Sequence, residues 1–192
     1  MNIGVFASGR GSNFQAILDA IHQRILTASV SLLLSNKSDA GALEIARAHH
    51  IPAVHVSQKQ FSDEPSFAAA MVRLLKEHDV QIIALAGYLK KIPIPVVREY
   101  RNRILNIHPA LLPKFGGKGM YGRHVHQAVI DAGEKESGIS IHYVNEKFDE
   151  GKIVFQMKCE VGLHETAETL AEKVRELEHK HFPAEIEKLL GA

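Results

Sequence analysis

The 192-residue chain has a single cysteine, Cys159, and no tryptophan. One cysteine excludes an intramolecular disulfide and fits a reducing compartment. Net charge is almost absent: 23 Lys and Arg against 22 Asp and Glu leave +1. That removes the broad electrostatic footprint expected of a nucleic-acid or anionic-membrane binder, so an anionic ligand has to be held by a local site. No apolar run is long enough to cross a bilayer. The start, MNIGVFASGRGSN, lacks a basic n-region and its apolar run stops at glycine, so it does not read as a signal peptide. A cytoplasmic protein is expected, with neither nucleic-acid nor membrane partners. Repeats, low-complexity tracts and linkers are also lacking, and the length suits one domain, 1–192.

What the chain does have is an alternation of short apolar runs with helical periodicity. Residues 2–8, 30–35, 52–56, 81–86 and 103–107 read as strands. Between the first two, Phe14, Ile17, Leu18, Ile21 and Ile25 fall on one helical face. Further helices are expected over 42–50 and from Pro65 to His78. Beyond Gly138 the pattern changes to two strands, 138–144 and 153–161, joined by the turn-rich NEKFDEGK. A closing helix begins at Thr166, with Pro183 expected to break it. The fold class is therefore α/β: a doubly wound, mostly parallel Rossmann-like sheet with a late antiparallel addition. In such sheets ligands bind beyond the carboxyl ends of the strands. The loops 8–13, 35–41, 87–91 and 108–113 should converge there.

The first of these loops, SGRGSN, offers a tight glycine turn and the free N–H groups of a helix start, a phosphate site in principle. A dinucleotide fingerprint would need a third glycine where Phe14 stands and an acidic residue where Ser35 and Asn36 stand. There is no P-loop motif either. A single phosphate monoester fits better; the plainer reading is a glycine turn capped by Ser12 or Asn13 with no ligand.

Residues 104–115, ILNIHPALLPKF, place Asn106 and His108 two apart at a strand end, hence on one face. An amide donor and a titrating imidazole together suit a reaction through an oxyanion, such as acyl transfer. The alternative is a strand-end pair satisfied by backbone. A charge-setting partner for His108 could come from Glu146, Asp149 or Glu150, and spacing does not choose among them. A nearby carboxylate would raise the His108 pKa. No metal constellation is evident: His49–His50, His124–His126 and His179–His181 lack the i, i+4 spacing of a zinc pair and read as mostly surface residues. Cys159 reads as packing.

Together the stretches ASGRGSNFQAI, LLLSNKSDAGALEIA, IIALAGYLKKI, RILNIHPALLPKF and GISIHYVNEKFDEGKIVFQ, with the final helices, closely resemble the folate-dependent glycinamide ribonucleotide formyltransferases over nearly the whole chain. The resemblance implies the formyltransferase fold. It also implies transfer of the formyl group of 10-formyltetrahydrofolate, a co-substrate, to the amine of 5-phosphoribosylglycinamide, without metal, by a monomer or homodimer. It casts His108 as proton shuttle, Asn106 as oxyanion donor and Asp149 as the group that raises the histidine pKa. Gly11, Ser12 and Asn13 match the substrate-phosphate loop. Arg175, Glu176, Leu177 and Glu178 match the helix lining the ribonucleotide site. Leu89, Lys90, Lys91 and Ile92, with Asn106 and with Asn145, Glu146, Lys147, Phe148 and Asp149, match the folate pocket. A cis bond before Pro113 is implied as well. Two departures stand out. Residues 116–127 form a longer, glycine-rich stretch, a mobile flap or a longer surface turn. Asp63 and Glu64 stand near where many relatives carry a basic residue for the folate tail, leaving Lys90 and Lys91 as alternatives or as a solvated face. A Rossmann-type nucleotide-binding regulatory module is the non-enzyme reading; it would not need Asn106, His108 and Asp149 to converge.

Overall fold

The computed structural model describes residues 1–191. Five parallel strands come first: β1 (Asn2–Phe6), β2 (Ser29–Ser35), β3 (Ala53–His55), β4 (Ile82–Leu85) and β5 (Ile104–His108). Then β6 (Glu136–Tyr143) and β7 (Ile153–Glu160) run antiparallel to their neighbours. The sheet order is β3-β2-β1-β4-β5-β6-β7. The chain leaves β1 toward β2 on one side and returns to β4 on the other, so the switch point lies at the carboxyl ends of β1 and β4. The loops there are tied together. The Ser8 N–H donates to the Gly87 carbonyl at 3.0 Å, and the Leu89 N–H to Ser8 Oγ at 2.8 Å.

Among the described residues six α-helices cover the sheet: α1 (Ser12–His22), α2 (Gly41–Ala48), α3 (Glu64–Glu77), α4 (Ile94–Glu99), α5 (Arg123–Asp131) and α6 (Ala167–Leu190). One core joins Ile3, Val5, Leu33, Leu105, Ile107, Ile139 and Ile141 to α1, α2 and α6. The other joins Phe6, Leu32, Leu34, Ile83, Leu85 and Ile104 to α3 and α4. Both faces of the parallel strands are thus apolar, which explains their continuous hydrophobic runs. The start of α3 is set by Asp63, whose carboxylate accepts from the Ser66 N–H at 2.7 Å, with Pro65 in the first turn.

Several expectations are corrected. The first strand stops at Phe6, and α1 stops at His22. Ile25 therefore lies past the helix, 53% exposed, outside the apolar stripe it was grouped with. The helix α4 and the helical state of residues 123–127 were not anticipated. Both helices are short, six and nine residues, so their periodicity is weak. Pro183 does not break α6, which runs through it. Leu170 and Val174 before the proline, and Phe182 and Ile186 after it, are all buried in the same core. That burial holds the helix together across the missing N–H.

Candidate active site

The site begins with strand register. Asn106 pairs directly with His142, and His108 with Ser140, across the antiparallel β5–β6 ladder. Directly opposed residues share a face, so four polar side chains from two strands project together. The alternate residues Leu105, Ile107, Ile139 and Ile141 fill the core on the other face. Ser140 is buried and organises the exit from β5. Its hydroxyl donates to the Ala110 carbonyl at 2.6 Å and accepts from the Leu112 N–H at 2.9 Å and from Gln156 Nε2 at 2.8 Å. The Leu112–Pro113 bond is cis.

Asp149 arrives from the loop between β6 and β7. Its Oδ2 lies 3.7 Å from His108 Nδ1, and its Oδ1 lies 3.5 Å from His142 Nε2. The Gly117 N–H donates to Oδ2 at 2.8 Å. The other two acids of that loop are engaged elsewhere: Glu146 pairs with Arg98 at 2.9 Å and Glu150 with Lys147 at 3.0 Å. Geometry therefore selects Asp149. Two left-handed non-glycine residues build this arrangement, Asp149 itself (φ 53°) and Phe115 (φ 56°), whose carbonyl meets His108. Such backbone costs on the order of 1–3 kcal/mol per residue and persists where the surroundings impose it.

The hydrogen bonds assign the imidazole protons. His108 Nε2 lies 2.8 Å from the Phe115 carbonyl, which can only accept, so Nε2 carries a proton and Nδ1 is the nitrogen free to gain and lose one. His142 Nδ1 likewise donates to the Tyr143 carbonyl at 2.9 Å. In the neutral ring Nε2 is then the acceptor for Asn106 Nδ2 at 3.0 Å. His142 is 2% exposed and was not anticipated as a site residue. The readable signal was the alternation in GISIHYV, where the polar residues 140 and 142 share one side of a strand.

His108 is 4% exposed, and its pKa is lowered overall, although Asp149 pulls it upward as expected of a nearby carboxylate. Burial disfavours the imidazolium, and that outweighs the upward pull of Asp149 and of the Phe115 carbonyl. Asp149 also lies below its ordinary value. Burial raises it, but the facing His142 ring, the Gly117 N–H and the nearby His108 together lower it by more.

These groups border a cavity of about 520 Å³. Asn13 and Glu178 line it, as do Leu89, Lys90, Lys91, Phe148 and the segment Gly117–Gly122. Gly11 (φ 88°) opens α1, and a Cβ there would sit 2.9 Å from Ala42 Cα and Cβ, so only glycine fits. No side chain caps α1, so neither Ser12 nor Asn13 plays that part. Asn13 Nδ2 instead donates to Glu178 Oε2 at 3.1 Å, and burial pushes the Glu178 carboxyl up to about 7. Ser12 borders a separate groove with Gln15, Asp19 and His179. Glu176 is exposed, Leu177 packs on the core, and Arg175 is half-buried with its charge felt by Glu178. Ile92 is buried and faces a neighbouring cavity of about 940 Å³ that shares Tyr88, Lys90 and Lys91 with the first. Asn145, Glu146 and Lys147 are turned away from the first cavity. Asn145 Nδ2 bonds the Glu150 carbonyl at 3.1 Å, and Glu146 borders the outer surface by Arg98. Among the described residues no group of three or more His, Cys, Asp or Glu is arranged to hold a metal ion. No helix there is long and apolar enough to cross a membrane.

Comparison with known proteins places the chain. A family model described as formyl transferase matches residues 1–186. The phosphoribosylglycinamide formyltransferase of Bacillus subtilis is 40% identical over 97% of this chain and 93% of its own length. The chloroplastic enzyme of that name from Arabidopsis thaliana is 44% identical over 94% of this chain, which spans 62% of that longer protein. The crystal structure of phosphoribosylglycinamide formyltransferase from Bacillus halodurans superposes with a TM-score of 0.92 at 34% identity, over 99% of this chain and 95% of that one. A strand-end Asn and His, a carboxylate brought back to them by an antiparallel hairpin, and likeness along nearly the full length agree: the chain belongs to the formyl transferase family, among the phosphoribosylglycinamide formyltransferases.

Proposed function

We propose that this chain, acting as a single domain over 1–192, transfers the formyl group of 10-formyltetrahydrofolate to the amine of 5-phosphoribosylglycinamide. The products are 5-phosphoribosyl-N-formylglycinamide and tetrahydrofolate. The observation that carries the reading is the meeting of Asn106, His108 and Asp149, with His142 between the first and the last, on the wall of one cavity. The amine attacks the formyl carbon, a C–N bond forms and the formyl oxygen becomes negative. Asn106 spends one N–H on His142 and has a second for that oxygen. The amine must then lose a proton and the departing folate nitrogen must gain one. His108 Nδ1 takes the first and supplies the second, and Asp149 steadies the imidazolium between the two steps. A lowered His108 pKa suits this order, because the ring begins neutral and able to accept.

The uncapped start of α1 at Gly11, Ser12 and Asn13 offers N–H groups for the substrate phosphate, and Glu178 meets the ribose hydroxyls. Leu89, Lys90, Lys91 and Phe148 hold the folate, with Lys91 Nζ 5.9 Å from the centre of the Phe148 ring. The test is formyl transfer by purified protein from a 10-formyl folate to 5-phosphoribosylglycinamide. Transfer that disappears in His108→Ala, with the fold intact by circular dichroism, supports the reading. No transfer from folded wild-type protein rejects it.

A further inference from the structure

Three unpaired buried polar atoms belong to residues on the wall of the 520 Å³ cavity: Asn13 Oδ1, Tyr88 Oη and His126 Nδ1. Asn13 has another bond, to Glu178. His126 is different in kind, since its ring is 5% exposed and stands in the cavity wall on α5. From the sequence, the His124–His126 pair lacks metal-pair spacing and reads as mostly surface; α5 instead turns His126 inward together with Val125 and Val129.

The orphan nitrogen fixes the tautomer. A buried N–H without a partner costs more than a buried lone pair without one. Nδ1 therefore keeps its lone pair, and the proton sits on Nε2. His108 is near enough for its charge to act on the ring. The helix α5 packs against α6, which carries Glu178, and His126 lines the same cavity as Asn13 and Glu178.

We propose that His126 is a further substrate-binding residue, an uncharged N–H donor that reads an oxygen of the acceptor substrate. This rests on the functional reading above, in which Asn13 and Glu178 meet the ribonucleotide. A neutral donor is the right kind of group in that position. A cation would oppose protonation of His108, and an anion would hold a proton on the attacking amine. Burial keeps the ring uncharged at working pH, so it does not compete with His108 for the travelling proton.

The test separates hydrogen bonding from packing. His126→Leu fills the volume without a donor; His126→Gln returns an N–H near the position of Nε2. Steady-state kinetics are measured for 5-phosphoribosylglycinamide and for the 10-formyl folate separately, with thermal midpoints for each variant. The expected result is a KM for the ribonucleotide raised about tenfold in His126→Leu, as for one lost buried hydrogen bond. The folate KM stays unchanged, and His126→Gln recovers most of the loss. An unchanged ribonucleotide KM in His126→Leu, with wild-type transfer normal, overturns this inference alone. So does a defect of equal size in both variants that follows their thermal midpoints. Absence of transfer by the wild-type chain overturns the functional reading and this inference with it.

Discussion

Asp149 serves two imidazoles at once, with one oxygen facing His108 and the other facing His142. Its carboxylate is the largest upward influence on His108 in a site where burial pushes the other way. Replacing it with Asn should therefore move the acid limb of kcat/KM to lower pH, because the imidazolium loses its stabilising charge. The plateau should fall by roughly 10²-fold or more, the usual scale for a lost proton-transfer arrangement. A pH–rate profile checks both; an acid limb that stays put or rises would remove Asp149 from this role. At this scale the sequence was partly legible. Asn106 and His108 stood out because a strand's period of two is visible in six residues. The choice of Asp149 over Glu146 and Glu150 was not, since it depends on which side chain a bent loop turns inward. His142 was hidden because its partner lies 36 positions away, and single-strand patterns carry no information about what sits opposite.

Elements were read well wherever burial on both faces makes hydrophobic runs long, as in β4 and β5, and poorly where they are short, as in α4 and α5. Pro183 misled for a reason of energy: a penalty of about 3 kcal/mol for proline within a helix is real, but Phe182 and Ile186 are buried on the far side of it. The β6–β7 hairpin is the element on which the site most depends, and Gly151 is its tightest point. A Cβ there would lie 1.6 Å from the Tyr143 carbonyl oxygen, a backbone atom beside the His142 ring. Gly151→Ala must spread the hairpin. We expect a loss of about 1–3 kcal/mol in stability, the range for overpacked sites, and a larger proportional loss of activity, because Asp149 rides on the displaced segment. Urea denaturation and kcat measured side by side check this. Activity falling only as much as the folded fraction would show that the hairpin does not transmit to Asp149.

For the whole molecule, buried histidines set the response to acid. His126 is held down to about 4, chiefly by burial, and His108 also lies below its ordinary value. Groups with folded pKa values below their unfolded ones take up protons on unfolding. For His126 that contribution is complete above the ordinary histidine value of 6.5 and is lost as pH falls toward 4. His126 alone should cost roughly 2 kcal/mol between pH 7 and 4.5. Urea midpoints across that range should fall, and His126→Leu should flatten the fall. An equal slope in the variant would place the acid sensitivity elsewhere. The global architecture was legible because alternating strands and helices leave few topologies. The antiparallel turn at β6 was visible only as a change of style after Gly138.

The seam between β5 and β6 also divides the chain by how freely its length can change. Asn106 and His142 are aligned by ladder hydrogen bonds, so the connection from 109 to 135 can gain or lose residues in its glycine-rich part without altering that alignment. The return from Tyr143 to Ile153 has no such freedom, since Asp149 is carried on it and Gly151 is already at the limit of approach. Insertions in the first segment are thus a route to new substrate reach in this scaffold, while a single added residue in the second disconnects the acid from the base.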